Sequence, residues 1–214
     1  MECNENFAIF AKNINIIIMK NLKNVLSILC VSVILCSCSN SSNGGASVVG
    51  TWKMDVEEAM KKAEAMKTQG KILHEATCEY VFNEDGTGME KTTMTYESPV
   101  DKGVIYKTTI KGENPFKWRK DGSRLVLEMT DINMEMVNPE AICSNPKKSA
   151  EWQRNIQKMA DDYNKSMLRS DVKNEALTNV NAGGGYDFEI LELNENKLEL
   201  KPANGDIKKF DKVK

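Results

Sequence analysis

The chain has 214 residues, and its 29 lysines and arginines nearly balance its 31 aspartates and glutamates. A net charge of −2 with scattered basic residues argues against a nucleic-acid partner and against attraction to an anionic membrane face. The only histidine, His74, lies in no CxxC or HxxxH pattern, so neither a metal site nor a histidine relay is expected. We therefore expect no catalytic residues, no metal and no cofactor.

The N-terminal segment has the order of an export signal. Residues 19–24 are basic and polar, and Val25–Leu35 is an uncharged apolar run of eleven residues. As a helix this run would span roughly 16 Å, too short for a hydrocarbon core of ~30 Å. We predict that residues 1–37 are an export signal. Because the acidic residues of segment 1–18 do not fit such a signal, we expect translation to start at Met19.

The end of this signal, Leu35-Cys36-Ser37-Cys38, resembles the lipobox of bacterial lipoproteins. The resemblance implies that the Cys38 thiol accepts a lipid and that cleavage follows just before it. Cys36 is an alternative acceptor, and a signal peptide without lipidation is another alternative. Residues 38–46 are small and polar and would form a flexible tether. We therefore expect a cell-envelope protein that a lipid anchor holds at a membrane, with the outer membrane as the expected site.

The mature chain begins with a strand and a helix. Val48–Met54 reads as the first strand, and Asp55 is a good N-cap for a helix over 55–68. Met60 and Met66 lie on the apolar face of this helix.

Short alternating segments and tight turns dominate the rest of the chain. Asp-Gly pairs at 85–86 and 121–122, and asparagine-rich turns at 194–196 and 204–206, separate these segments. The count is eight or nine closely spaced strands, with one of them ending at Gly112. The pattern favours a mainly β fold, either an antiparallel up-and-down barrel of eight strands with two helical insertions or a sandwich.

The second insertion is predicted to be helical and to cover 131–185. Asn138-Pro139 and Asn145-Pro146 read as breaks, and Ser149 would cap a helix that runs to residue 169. One face of this helix is apolar: Trp152, Ile156, Met159, Ala160, Tyr163 and Met167. Because such a stripe must be buried, we expect Trp152 and Ile156 to pack on the barrel, across its mouth or against its outer wall.

Several short motifs resemble the lipocalin-like domain that is common in lipoproteins of Bacteroidetes. They are Gly50-Thr51-Trp52, Phe82–Gly88, Phe116-Lys117-Trp118 and the pair Tyr186–Ile190 and Leu198–Leu200. The resemblance covers most of the domain 47–214. It implies a lipocalin-like barrel in which Trp52 closes one end and a basic residue of the last strand lies over it. No arginine follows Arg169, so Lys208, Lys209 or Lys212 would take that place.

The mature chain keeps two cysteines besides Cys38. Cys78 and Cys143 could form one disulfide in an oxidising compartment, or they could be two separately buried thiols.

Two functions remain open at this point. In the first, the barrel binds a small apolar ligand, and the candidate lining residues are Met60, Met66, Trp152, Met159 and Tyr163. In the second, the barrel is filled and the protein is a non-enzymatic interaction module whose inserted helix docks an envelope protein. An eight-stranded barrel has an interior that either side chains or one small ligand can fill.

Overall fold

The structure is a computed structural model that describes residues 46–57, 60–61, 72–101, 103–182, 186–203 and 206–214. The predictions for the export signal, the start at Met19, lipidation at Cys38 and the role of Met66 fall outside these residues.

Nine strands and two helices alternate along the chain. The strands are β1 (Gly50–Met54), β2 (Ile72–Phe82), β3 (Thr87–Asp101), β4 (Val104–Asp121), β5 (Arg124–Met129), β6 (Met134–Cys143), β7 (Asp187–Leu193), β8 (Lys197–Pro202) and β9 (Lys208–Lys212). The helices are α1 (Pro146–Met167) and α2 (Ser170–Ala182), both between β6 and β7.

Eight of these strands close into an antiparallel barrel, which confirms the predicted fold class. The order around the barrel is β1-β2-β3-β4-β5-β7-β8-β9, and β9 pairs again with β1. We call the end where β1 finishes and β2 begins the open end, and the opposite end the closed end. The alternation of buried and exposed residues along the strands places one apolar face inside the barrel.

The ninth strand, β6, lies outside the closed ring. It pairs with the first half of β4, whereas β5 pairs with the second half of the same edge. The long strands β3 and β4 therefore continue beyond the barrel with β6 as a three-stranded extension. Helix α1 packs against β6 of this extension.

The strand β6 corrects the prediction of a purely helical insertion. Asn138 and Pro139 do not break the strand, because Asn138 takes a left-handed conformation with φ +52°. The register with β4 shifts there, so the dipeptide is accommodated as a bulge.

The helical part of the insertion also differs from the prediction. Helix α1 begins at Pro146, where the Asn145 side chain accepts a hydrogen bond from Lys147 N at 3.1 Å, and not at Ser149. The second helix, α2, was not expected.

The predicted strand end at Gly112 is wrong. Gly112 lies within β4, between Thr92 of β3 and Met134 of β6. A Cβ at this position would lie 2.5 Å from Met134 Sδ and 2.6 Å from Thr92 Oγ1. Glycine allows these close approaches and so lets one strand cross from the extension into the barrel.

The helix expected after β1 begins as predicted. The Asp55 carboxylate accepts a hydrogen bond from Glu57 N at 2.9 Å, and Met60 N donates to Val56 O at 2.8 Å. Of the segment predicted to be helical, residues 58–59 and 62–68 lie outside the described residues.

The closed end is built as the resemblance implied, with lysine in place of arginine. Trp52 is fully buried, and its indole nitrogen donates to Val48 O at 2.7 Å. Lys212 lies over the indole ring at 5.0 Å and donates to Val49 O at 3.1 Å. Gly50 has φ +128°, and a Cβ there would lie 2.8 Å from Lys212 Cε. Glycine is therefore required beside this lysine.

Candidate functional site

Aromatic rings fill the part of the barrel interior nearest the closed end. Tyr80, Phe82, Phe116 and Phe210 are each only 1% exposed. Their rings contact one another edge-on or tilted, with centroids 5.4 to 6.1 Å apart. Such contact leaves no room for a ligand among these rings.

A carboxylate lies buried against this aromatic layer. Glu90 of β3 is 6% exposed, and its oxygens accept hydrogen bonds from Tyr80 Oη at 2.9 Å and Asn114 Nδ2 at 3.0 Å. Tyr186 Oη lies 3.3 Å from the same carboxylate. The cross-strand pairings Tyr80–Glu90 and Glu90–Asn114 set this arrangement. Three donors thus replace the hydrogen bonds to water that the Glu90 carboxylate loses when it is buried.

The charge of Glu90 acts on its neighbours. Burial raises the pKa of Tyr80, and the adjacent Glu90 carboxylate raises it further. Burial also raises the pKa of the Cys78 thiol, with Glu90 adding to the effect and Lys208 opposing it. Both groups therefore hold their protons at neutral pH, and Cys78 is not a nucleophile.

A second charged side chain, Lys208, lies buried beside the Tyr186 ring. Lys208 of β9 is 7% exposed, and its Nζ lies 5.3 Å from the centre of the Phe188 ring and 5.8 Å from that of Tyr186. The two ring faces stabilise the ammonium group by cation–π contact.

We call the residues Cys78, Tyr80, Glu90, Asn114, Tyr186 and Lys208 the buried polar cluster. They come from five places in the chain: β2, β3, β4, the residue before β7, and β9.

Hydrogen bonds connect this cluster to α2. Asn114 Oδ1 accepts from Asn133 N at 3.0 Å, and Asn133 Oδ1 accepts from Lys173 Nζ at 2.6 Å. Lys173, on α2, also pairs with Asp131 at 3.1 Å. The lysine and its hydrogen bonds lower the pKa of the Asp131 carboxyl against the opposing effect of partial burial.

Helix α2 lies at the open end of the barrel. The Asn181 amide bonds to both Met129 N and Met129 O at 3.0 Å, as a neighbouring strand would. Four half-buried side chains of α2 pack against the main core: Val172, Ala176, Leu177 and Val180. The helix is therefore fixed to the end of β5 and to the main core.

The candidate lining residues predicted on α1 divide between two places. Trp152 and Met159 are half-buried and pack against a small cluster on the extension, which includes Tyr106 and the buried Ile156. Tyr163 is 5% exposed and belongs to the main core. Ile156 therefore packs on the extension, with Tyr106 and Ala141. It does not pack across the mouth or against the outer wall of the barrel, as was predicted.

The remaining candidates do not join the buried polar cluster. Met60 is half-buried in the helical turn after β1. Met66 falls outside the described residues. None of the five candidates belongs to the polar cluster.

The two cysteines are free thiols. Cys78 is on β2, Cys143 is at the end of β6, and both β3 and β4 lie between these strands. The disulfide that the sequence left open therefore does not form, and of the two separate thiols Cys78 is buried whereas Cys143 is only half-buried. Within the described residues, no three His, Cys, Asp or Glu side chains gather in a way that could hold a metal ion.

The strand pattern of the sequence could have indicated Lys208 and Glu90, which were not predicted as site residues. Phe210 faces the interior, and the alternation of a strand then places Lys208 inside. Glu90 likewise shares its phase with the buried Thr92 and Met94. A charged residue in the inward phase of a barrel strand marks a buried ionisable group.

No family model matches this chain, and no curated protein matches it by sequence. In the part of the chain that the structure describes, no helix has both the length and the apolar character to cross a membrane. The barrel and its buried polar cluster are therefore the features from which a function is inferred.

Proposed function

We propose that this chain is a cell-envelope lipoprotein, anchored through Cys38, whose lipocalin-like barrel binds a small ligand near its open end. The observation that supports ligand binding is the buried polar cluster, in which Glu90 and Lys208 lie inside a barrel whose other inward side chains are mostly apolar.

Burying ionised side chains is costly, and well-packed apolar residues of similar size often give equal or greater stability. A barrel with only a structural role would gain more from an apolar interior at these positions. Ionisable groups that converge in a largely apolar interior are typical of a binding site.

The walls near the cluster suit an apolar part of the ligand. Buried methionines from three elements belong to the main core: Met54, Met134, Met136 and Met167. Methionine side chains are flexible and polarisable, and they can repack around a guest.

The alternative is a filled interaction module whose inserted helix docks a partner protein. The filled aromatic layer favours it, because Phe82 and Phe116 leave no space beside them. Against it, the apolar stripe of α1 is used within the chain, where Ile156, Ala160, Tyr163 and Met167 are buried. Ligand binding above the aromatic layer accounts for both observations.

Native mass spectrometry of the lipoprotein, released from membranes in a mild detergent, tests the binding proposal. We expect a bound small molecule whose occupancy falls in Glu90→Gln and Lys208→Met but not in Lys209→Met, because Lys209 lies on the outside of β9 and is exposed. A chain free of any co-purified molecule, in both wild-type and variants, would favour the filled module.

The anchor is tested separately. Cys38→Ala should move the protein from the membrane fraction to the soluble fraction and remove the acyl mass from its N-terminus. Unchanged fractionation would contradict lipidation at Cys38 and leave the binding proposal standing.

A further inference from the structure

We propose that Tyr163 binds the ligand of this barrel by donating a hydrogen bond to a carbonyl or ether oxygen of a neutral, mainly apolar molecule. This inference rests on the proposed function, because it names a binding residue and a ligand class for the same open end of the barrel.

The hydroxyl group of Tyr163 is buried and makes no hydrogen bond within the chain. Tyr163 of α1 is 5% exposed, and none of the residues that the structure describes provides a hydrogen-bond partner for its Oη. Such a hydroxyl is costly, because it has lost its hydrogen bonds to water without replacing them. A phenylalanine would fill the same space without this cost. The hydroxyl therefore points to a partner from outside the chain.

Hydrogen bonds fix Tyr163 at the open end of the barrel. The side-chain amide of its neighbour Asn164 bonds to Met136 N at 2.7 Å and to Met136 O at 2.9 Å, so this turn of α1 lies against β6. Met136 pairs with Ile110 of β4, and Ile110 pairs with Met94 of β3. Met94 in turn pairs with the first half of β2, which begins at the open end.

Two further tyrosines lie near this hydroxyl. Tyr106 is 3% exposed and donates to Met136 Sδ at 3.3 Å, and the Tyr96 ring meets the Tyr106 ring edge-on, with the centroids 6.2 Å apart. Burial raises the pKa of Tyr163 to about 12, and the nearby Tyr106 adds to this effect. Burial also raises the pKa of Tyr96, with further contributions from Tyr106 and Tyr163. All three phenols therefore keep their protons at neutral pH.

The surroundings of Tyr163 determine the class of ligand. The buried side chains at this level of the sheet and on this face of α1 are uncharged: Met94, Ile110, Met136, Ile156, Ala160 and Met167. An ionised group placed there would lose its hydration and find no countercharge among them, whereas a neutral oxygen loses less. A phenol donates one hydrogen bond, so one acceptor oxygen is sufficient. The ligand class is a neutral apolar molecule with one ketone, ester or ether oxygen.

The test compares two probes of nearly the same shape. Acetophenone has a carbonyl oxygen where α-methylstyrene has a methylene group, and benzoate is the anionic third probe. Each is dialysed to equilibrium against the full lipidated protein in phospholipid nanodiscs, with empty nanodiscs as the blank for partitioning into lipid. In Tyr163→Phe we expect the Kd of acetophenone to rise about 3-fold to 10-fold, the range that one net hydrogen bond provides. The Kd of α-methylstyrene should stay the same, because this probe has no acceptor.

Ser166→Ala is the matched control, because it removes another hydroxyl group from the same turn of α1. The Ser166 hydroxyl donates to Tyr163 O at 2.7 Å within the helix and is therefore not available to a ligand. We expect the Kd of acetophenone relative to that of α-methylstyrene to be the same in Ser166→Ala and in wild type. Thermal unfolding checks that each variant is folded.

The outcomes separate this inference from the proposed function. If the two Kd values change equally in Tyr163→Phe, or if neither changes, the hydrogen bond to the ligand is overturned, while a barrel that binds apolar molecules is supported. A larger loss of affinity for benzoate than for acetophenone in Tyr163→Phe would overturn the neutral ligand class. No binding of any probe by wild type would contradict the proposed function itself.

Discussion

The hydrogen bonds around Glu90 lead to a quantitative prediction for Glu90→Ala. The change removes the acceptor of two strongly buried donors, Tyr80 Oη at 2.9 Å and Asn114 Nδ2 at 3.0 Å. Each buried donor left without a partner costs about 1–3 kcal/mol, which together gives about 2–6 kcal/mol. Removing the carboxylate also relieves its own desolvation, which lowers the upper end. We therefore expect the free energy of unfolding to fall by about 2–4 kcal/mol.

Urea unfolding followed by tryptophan fluorescence measures this change. The midpoint of unfolding should move to a lower urea concentration, with little change in the dependence of the free energy of unfolding on urea concentration. Glu128→Ala is the matched control, because Glu128 is exposed on β5, and we expect its effect to stay within about 0.5 kcal/mol.

A double-mutant cycle with Tyr80→Phe tests the mechanism. Phenylalanine leaves no hydroxyl to be stranded, so Glu90→Ala should cost roughly 1–2 kcal/mol less in that background. Equal costs in the two backgrounds would refute the reasoning that the Tyr80 hydrogen bond stabilises the fold. A midpoint for Glu90→Ala equal to that of Glu128→Ala would refute the role of the whole network.

Three further predictions concern other parts of the barrel. Lys212→Ala removes a hydrogen bond and a cation over an indole ring and should lower the free energy of unfolding by about 1–2 kcal/mol in urea, whereas the exposed Lys209→Ala should change it little. Ile156→Ala should cost about 2–5 kcal/mol in the same assay, because this residue of α1 is 3% exposed where the helix packs on the extension; a cost below 1 kcal/mol would show that α1 does not hold the extension. Burial raises the pKa of Tyr106 and of Tyr163 to about 12, above the value near 10 of an unfolded chain. The free energy of unfolding should therefore keep its full value below pH ~10 and fall as the pH rises to about 12. Tyr163→Phe should move alkaline unfolding, followed by circular dichroism, to higher pH, and an unchanged midpoint would contradict this sign.

Much of the barrel could be predicted because its signals are local. The turns at Asp85-Gly86 and Asp121-Gly122 join neighbouring strands in the structure as expected. Alternation along each strand then selects the inward face. The resemblance that the Gly50–Trp52 motif carries implied the geometry of the closed end, although the choice of Lys212 among three lysines needed the register of β9 with β1.

The extension could not be predicted for a physical reason. A strand containing Asn138-Pro139 has poor local propensity, and it is stabilised by pairing with β4, which is 29 residues away at the Val137–Thr108 hydrogen bond. Local sequence reads the dipeptide as a break, whereas the long-range pairing absorbs it as a bulge.

By itself, the sequence determined the mainly β fold class, the hairpin turns and the inward face of most barrel strands, whereas the export signal with its lipobox-like end stays a prediction. These features depend on propensity and periodicity over a few residues. Only the tertiary structure decided which inward polar residues meet. Glu90, Tyr186 and Lys208 are far apart in the chain, and closure of the barrel brings the strands that carry them around one interior. Whether a buried charged group finds hydrogen-bond partners depends on distances across that interior, and no local sequence pattern contains these distances.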